Sequence, residues 1–538
     1  MSFQKYLNTV SGNFRRAVKV EWLNSDETVN FEFTNALYDI NVDLSVNYQN
    51  GSRRTCTLTL NNDRNKFPIN FNNIWFGQKF KLWMGVYIDN NTPYLLPQGV
   101  FYVSNPNEAY QPSTRTIKIN GVDKWAFLDG TLHGKLSGTY QTGINTDLYD
   151  ATRQLLSISY RHLPSQLISS SNIEDYFEKT DGDYYFEYVE DENMFQATNL
   201  KAGLSTAITT LTAKTDMLVR FKYKYSFTSS FGALTVKICE KTISDMVYGT
   251  KKEETVSETY VKKGDKIVFK LDKKRSDGSL SSGGFFDMFV NISPTLIDPI
   301  PPFISPEFLN KTTLVEGKEV NVWKCPYTAK VERGKTYADV LLEYATILCA
   351  HIYYDVNGRL VIEPMIDTAD DITDTNKEVV WHFTIEEKQL LGLNTAYNFD
   401  KVHNDIIVLG NIVNGYQFKA RVQNRNLMSD TCVQKIGLKT KDPIEDNQYY
   451  SDDQCKELAI YHAKIDTILQ KSGNISSTPL YHLDVNKLVT VSTPNNNMSK
   501  ELFLVTGYTL NSSNSMSVNV TSVNILKDFS VVEADVYE

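Results

Sequence analysis

Thr55-Cys56-Thr57-Leu58-Thr59-Leu60 alternates threonine with a larger or more apolar side chain at every second position. Side chains of an extended chain point to opposite faces in turn, so the hexapeptide predicts a strand with one wet face and one packed face. The same period appears in Ala17-Val18-Lys19-Val20-Glu21-Trp22, Phe80-Lys81-Leu82-Trp83-Met84-Gly85-Val86, Val100-Phe101-Tyr102-Val103 and Thr116-Ile117-Lys118-Ile119. Asn, Gly and Pro fill the gaps, and Asn suits turns because it tolerates left-handed backbone and bonds its own main chain. This pattern predicts antiparallel strands closing into a barrel or sandwich over residues 1–130.

Further along, the period changes. Leu148, Ala151, Leu155, Leu156 and Ser159 recur at three and four, predicting a helix over Asp147–Ser159, and Thr336–Ala350 reads the same way. A third helix, Asp452–Leu469, has Ser451 as its N-cap candidate and acidic residues in its first turn. Asn357-Gly358 between apolar runs predicts a hairpin over Tyr353–Ile362. Further strands are expected at Asp405–Leu409, Leu488–Val491, Leu502–Thr506 and Val518–Thr521. Phe101-Tyr102-Val103-Ser104 followed by Ile117-Lys118-Ile119 is echoed by Phe503-Leu504-Val505-Thr506 followed by Val518-Asn519-Val520, which raises an internal duplication.

The chain has 538 residues, enough for three or four domains, and at 41% apolar it can bury ordinary cores. Its 55 basic against 64 acidic residues give a net charge of −9, which disfavours nucleic acid and anionic membrane as general partners. None of its 45 Asn falls between Leu200 and Val290, and that window carries 16 Lys or Arg against 10 Asp or Glu. A break this sharp marks a separate module. Met217, Val219, Phe221, Tyr223, Tyr225 and Phe227 alternate with polar residues there, as a β-sandwich strand would. Ser169-Ser170-Ser171 reads as a linker on one side, and the proline-rich Asp298–Pro306 reads as a stiff one on the other.

Chemistry is sparse. The six cysteines form no Cys-x-x-Cys pair, so buried thiols are expected and not a disulfide frame or zinc site. The seven histidines are dispersed, and no His-Glu-x-x-His, Gly-x-Ser-x-Gly or phosphate-binding glycine loop is present. Asp181-Gly182-Asp183 with Glu190-Asp191-Glu192 misses the spacing of a calcium loop and reads as a solvated acidic turn. No catalytic, cofactor-binding or metal-ligating residue is assigned. Nor is a secretion signal or an apolar run of membrane-spanning length found. Aromatics carry the better signal: Tyr176, Tyr184, Tyr185 and Tyr188 cluster at the start of the Asn-free module as candidate contacts to a glycan or a protein. Phe221, Tyr223 and Tyr225 are expected in its core.

Several segments resemble the baseplate hub proteins of tailed bacteriophages. They are Ala36–Asp43, Gly51–Asn62, Gly99–Ser104 with Ile119–Trp125, Gly358-Arg359-Leu360 and Pro479–Asn486, and the resemblance covers about 1–165 and 310–525. It implies a mainly β, β-rich α+β chain: an N-terminal hub β-barrel at 1–130, a helix and linker at 131–171, and an inserted antiparallel β-sandwich at 172–293. After a Pro-rich linker at 294–310 come a small α+β domain at 311–385 and a second tail-tube-like β-barrel with one helix at 386–538. It also implies a homotrimer joining tail tube to distal tip, with tube, tip or spike and tape measure proteins as neighbours, in a virion made in the host cytoplasm. The insert resembles jelly-roll, carbohydrate-binding sandwiches and would contact a host surface glycan or a neighbouring tail protein. No nucleic-acid recognition, stable membrane insertion or enzyme activity is expected; the rival readings are a wall-degrading glycoside hydrolase and a carbohydrate-binding adhesin.

Overall fold

The computed structural model describes residues 2–24, 27–35, 39–62, 67–70, 74–75, 77–111, 114–159, 173–180, 187–189, 194–198, 206–215, 217–227, 233–239, 241–244, 252–272, 286–296, 302, 304, 306–315, 318–348, 350–364, 379–385, 389–445, 449–494, 498–512, 515–522 and 531–534. The chain begins with α1 (Ser2–Val10), β1 (Arg16–Leu23), β2 (Val29–Thr34), β3 (Asn41–Asn47), β4 (Arg54–Asn61), β5 (Lys79–Tyr87), β6 (Pro93–Val103), β7 (Asn107–Gln111), β8 (Thr114–Asp123), β9 (Tyr140–Thr142) and α2 (Leu148–Ser159). Next come α3 (Ile173–Tyr176), β10 (Phe177–Thr180), β11 (Glu187–Val189), β12 (Met194–Thr198), β13 (Thr206–Ala213), β14 (Met217–Phe227), β15 (Ala233–Ile238), β16 (Lys241–Ser244), β17 (Lys252–Val261), β18 (Lys266–Asp272) and β19 (Phe286–Leu296). Then follow α4 (Pro306–Leu309), β20 (Thr312–Val315), β21 (Lys318–Asn321), β22 (Ala329–Val331), α5 (Tyr337–Leu348), β23 (Ala350–Tyr354), β24 (Leu360–Pro364), β25 (Val379–Thr384) and β26 (Leu390–Tyr397). The last stretch holds β27 (Asp405–Val413), β28 (Tyr416–Asn424), α6 (Val433–Ile436), β29 (Ile444–Glu445), α7 (Asp452–Asp466), β30 (Lys471–Ser477), β31 (Leu488–Thr493), β32 (Met498–Leu510), β33 (Met516–Ser522) and β34 (Val531–Glu533). The chain is mainly β, and it divides into two compact units, residues 1–151 with 302–538, and residues 152–301.

The first unit is organised by one fourteen-stranded sheet in the order β2-β1-β5-β6-β8-β4-β3-β32-β33-β30-β26, with β7 beside β8 and β25-β31 joining at β32. Alternation explains its faces: in β3 the burial runs outward and inward by turns, placing Val42, Leu44 and Val46 inside. The two barrels expected from the resemblance do not stand apart. Neither half closes on itself among the described residues; β3 of the first half pairs with β32 of the second, Leu44 opposite Leu510 and Asn47 opposite Gly507. A single hydrophobic core accordingly contains Val42, Leu58 and Phe101 together with Val489, Phe503 and Val518.

Smaller elements dock around this sheet. Asp147 caps α2 by accepting from the Tyr149 and Asp150 amides. Thr336 and Asp339 bond each other's amide across the start of α5, a reciprocal cap. The β23–β24 hairpin turns at Gly358, whose φ of +73° explains the glycine. Between β26 and β30 the chain supplies β27, β28, β29 and α7, and the later β34 joins them in a four-stranded sheet, β29-β27-β28-β34, whose core of Ile406, Val408 and Val422 packs on Cys455, Ala459 and Ala463 of α7. Ser451 caps α7, accepting from the Gln454 amide at 3.1 Å. Four cysteines (Cys56, Cys325, Cys432 and Cys455) are buried free thiols.

The second unit is a sandwich of two five-stranded antiparallel sheets, β10-β13-β18-β15-β16 and β11-β12-β19-β14-β17. Phe221 of one sheet meets Phe269 of the other edge-on at 5.8 Å, so Phe221 lines the core as its alternation predicts. The proline-rich segment is more structured than a linker at both ends. Pro294 lies in β19 opposite Val219 of β14, past the last residue that β12 pairs, so among the described residues one side of the strand is unpaired there. Pro306 opens α4. The serine linker Ser169–Ser171 and the acidic turn Asp181–Asp183 with Glu190–Glu192 lie outside the described residues.

Candidate assembly interface

Five strands of each half repeat one plan. In chain order and in space, β3, β4, β5, β6 and β8 correspond to β26, β30, β31, β32 and β33: the sheet orders β5-β6-β8-β4-β3 and β31-β32-β33-β30-β26 match, every pair antiparallel. Registers match too. Phe101, Tyr102 and Val103 face Asp123, Val122 and Gly121, as Phe503, Leu504 and Val505 face Ser522, Thr521 and Val520. The hairpin echo read from the sequence therefore falls on equivalent strands, but two residues out of step. Ile119-Asn120-Gly121 is the counterpart of Val518-Asn519-Val520, and a two-residue slip preserves the inward face, which is why the pattern misled.

The equivalence extends to side chains. Thr57 donates to the Asn120 amide oxygen at 3.1 Å; in the second half Asn474 donates to Asn519 at 2.7 Å. Cys56 lies opposite Gly121, and its counterpart Gly473 lies opposite Val520. A Cβ on Gly121 would sit 2.7 Å from the Cys56 sulfur, while one on Gly473 would sit 2.9 Å from a Val520 methyl. The same space is thus filled from opposite strands in the two halves. Gly121→Val is expected to cost about 1–3 kcal/mol by overpacking. The double variant Cys56→Gly with Gly121→Val, which copies the second half, should recover the part of that cost due to the sulfur, while the Phe80 ring 2.8 Å from the same point keeps the remainder, as a double-mutant cycle in urea unfolding will read.

The counterpart of the end of β32 is β7. Asn107 lies four positions after Val103, as Thr509 lies four after Val505, so Asn107 and Glu108 correspond to Thr509 and Leu510. In the second half this stretch pairs with β33 on one side and with β3 on the other. In the first half, among the described residues, β7 pairs with β8 alone, and residues 107–110 are exposed, Tyr110 to 77%. The counterpart of β3 is β26, which among the described residues pairs with β30 alone, with Leu391 and Tyr397 exposed. Each of these open edges is one side of the junction that β3 and β32 complete within the chain.

Buried charges tie the halves together. Arg54 of β4 is fully buried, and its Nη2 donates to both carboxylate oxygens of Asp484 at 2.6 Å. Burial works against the guanidinium, but the Asp484 charge outweighs it and holds the Arg54 pKa above its usual value. Glu27 sits between Lys79 at 2.9 Å and Lys124 at 2.8 Å, and Lys124 also donates to the Gly358 carbonyl of the hairpin turn. Burial pushes the Glu27 carboxyl up, yet the two lysines bring it down to about 2. The α1 residue Tyr6 accepts from the Tyr481 amide at 2.9 Å and lies 3.1 Å from His482 Nδ1. Burial lowers His482 to about 4, so it is neutral at pH 7.

The aromatic candidates lie elsewhere, in the second unit. Tyr176 is buried at the end of α3, and Tyr188 stands in β11 opposite Phe195, its side chain outside the described residues. Tyr184 and Tyr185 lie outside them altogether, as do the side chains of Tyr223 and Tyr225. Sequence reading missed the open edges, for their signal is a pairing pattern and not a residue type. Among the described residues no three His, Cys, Asp or Glu side chains converge as metal ligands would, and no helix is long and apolar enough to cross a membrane.

No family model matches the chain, and no curated protein matches it. Among solved structures, a tail protein from Neisseria meningitidis MC58 is similar at 8% identity with a TM-score of 0.46, over 95% of this chain and 98% of that one. The 43 kDa tail protein of prophage MuSo2 from Shewanella oneidensis is similar at 9% identity and a TM-score of 0.41, over 94% and 98%. A family 35 carbohydrate binding module from Clostridium thermocellum is similar at 6% identity and a TM-score of 0.16, over 24% of this chain and 96% of the module.

Proposed function

We propose that the chain is a structural subunit of a phage tail: the homotrimeric hub at the distal end that joins the tail tube to the tip. One observation carries this reading: the chain holds one complete β3–β32 junction and both unmatched halves of the same junction, β7 and β26. Placing β26 of one copy against β7 of the next repeats the internal contact between molecules. A head-to-tail contact of this kind generates a ring when its rotation closes. The number three comes from the resemblance to baseplate hubs, in which a trimer of doubled subunits meets a sixfold tube. Tube, tip and tape measure proteins are the neighbours this role requires, and the residue 152–301 unit serves it as an accessory module that binds a host glycan or a neighbouring tail protein. The role is structural and not catalytic.

The expected mass in solution is three times the 61.3 kDa chain mass, with rings on electron-microscope grids. A monomer at all concentrations would overturn the ring. The register can be tested as well. Carried over from Leu44 opposite Leu510, it places Thr395 of one copy opposite Glu108 of the next, and Asn394 opposite Ala109. Like charges directly opposite weaken a strand pair by roughly 0.2–1 kcal/mol, and each ring holds several such junctions. Ala109→Lys with Asn394→Lys should therefore shift the trimer toward monomer in analytical ultracentrifugation, and Ala109→Lys with Asn394→Glu should restore it.

A further inference from the structure

The two sheets of the residue 152–301 unit bury one face each, and the outer face of β10-β13-β18-β15-β16 has an unusual lining. Along β18, Ile267 and Phe269 are buried, so Lys266, Val268 and Lys270 point the other way. On β15 the buried residues are Val236 and Ile238, which leaves Thr235 and Lys237 on the outer face; on β13 it is Ile208, 40% exposed. These six side chains line an open cleft of about 690 Å³. Lys237 pairs with Val268, while Lys266 and Lys270 lie four residues apart on one strand, about 13 Å at the rise of an extended chain. Three lysines are therefore set in a triangle of strand positions around an aliphatic floor. The carboxylate in the cleft, Asp265, is already engaged: its Oδ2 accepts from the Lys262 amide at 2.8 Å and from the Cys239 thiol at 3.2 Å.

We propose that this cleft binds a polyanionic glycan, one whose repeating units carry phosphodiester or carboxylate groups. Lysine presents a compact point charge on a flexible stem, suited to single anionic oxygens spaced along a polymer. Among the described residues no aromatic ring lines the cleft, so they offer no stacking platform of the kind that holds neutral sugars or the bases of single-stranded nucleic acid. The aliphatic floor of Ile208 and Val268 takes the apolar edge of a polyol or sugar ring between its charged groups. The window from Leu200 to Val290 is the basic part of an acidic chain, and the long reach of net charge concentrates anionic polymer on this unit. The inference rests on reading this unit as a binding module, but not on the ring.

The test uses the full chain in affinity electrophoresis against four polymers: a glycerol-phosphate polymer, polygalacturonate, neutral dextran and duplex DNA. The expected result is retardation by one or both polyanionic glycans at low salt, lost at high salt because exposed charges are screened. The two arms separate phosphate from carboxylate recognition. Lys237→Gln with Lys266→Gln and Lys270→Gln should weaken binding at least tenfold while leaving the solution mass unchanged, which separates failure of this site from failure of the ring. Binding that survives the triple substitution, preference for dextran, duplex DNA held as tightly as the glycans, or no retardation by any polymer would each overturn the proposal.

Discussion

Arg54→Leu is expected to lower the unfolding free energy by about 3–5 kcal/mol, the usual cost of breaking a buried ion pair by removing one partner. The Arg54 side chain is 1% exposed, and its partner Asp484 is 24% exposed. Substitution strands Asp484 and opens a void where β4 of the first half meets the Pro479–Asn486 segment of the second. Because Arg54 bridges the halves of one continuous sheet, the loss should appear as a single earlier transition in urea, not as one half melting before the other. Lys471 offers an internal control. It occupies the register position of Arg54 in the second half and pairs with Glu501 at 2.9 Å, but with 11% and 34% of the side chains exposed. Lys471→Met should therefore cost clearly less, since solvent screens what it gives up.

Glu27 sets the second large effect. Its carboxyl lies at about 2 in the folded chain against 4.5 for the free group, because Lys79 and Lys124 overcome the cost of its burial. A depressed carboxylate contributes stability that is present above its unfolded pKa and is lost as pH falls through the folded one. The window is thus between about pH 4.5 and 2, and the span of about two and a half units corresponds to about 3 kcal/mol. Glu27→Gln should flatten that part of the stability curve. At neutral pH it should also destabilise the chain, for it leaves the ammonium groups of Lys79 and Lys124, 5% and 0% exposed, without their shared counter-charge. Urea midpoints measured from pH 7 down to pH 3 check both claims, and a variant curve parallel to that of the unsubstituted chain would contradict them.

Local structure was legible wherever one face is buried. The alternation in β1, β4, β5, β6 and β8, the capped helix α7 and the Gly358 hairpin could all be read from spacing, because each obeys a rule that acts within a few residues. Strand β28 was not read: five of the nine residues of Tyr416–Asn424 are Gln, Lys, Arg or Asn, and its inward Phe418, Ala420 and Val422 stand beside the buried Arg421, which pairs with Asp405 at 2.8 Å. The β3–β32 junction was invisible for a different reason. Its partners lie more than 450 positions apart, and nothing local to Leu44 or Leu510 marks them as neighbours. Of the aromatic cluster taken as a contact surface, Tyr176 is buried. The lysines of β15 and β18, which alternation assigned only to a wet face, line the cleft. Sequence tells which face is wet; it takes the sheet to tell which wet residues stand together.

The short pair β9–β22 sets the terms on which this chain can diversify. Residues 140–142 and 329–331 lie on either side of everything from 152 to 301, and they pair with each other, Thr142 opposite Ala329. The backbone departs and returns at one closed gate, and the entropy of closing a loop grows only with the logarithm of its length. A payload at this position can be lengthened, exchanged or lost without moving a strand of the large sheet.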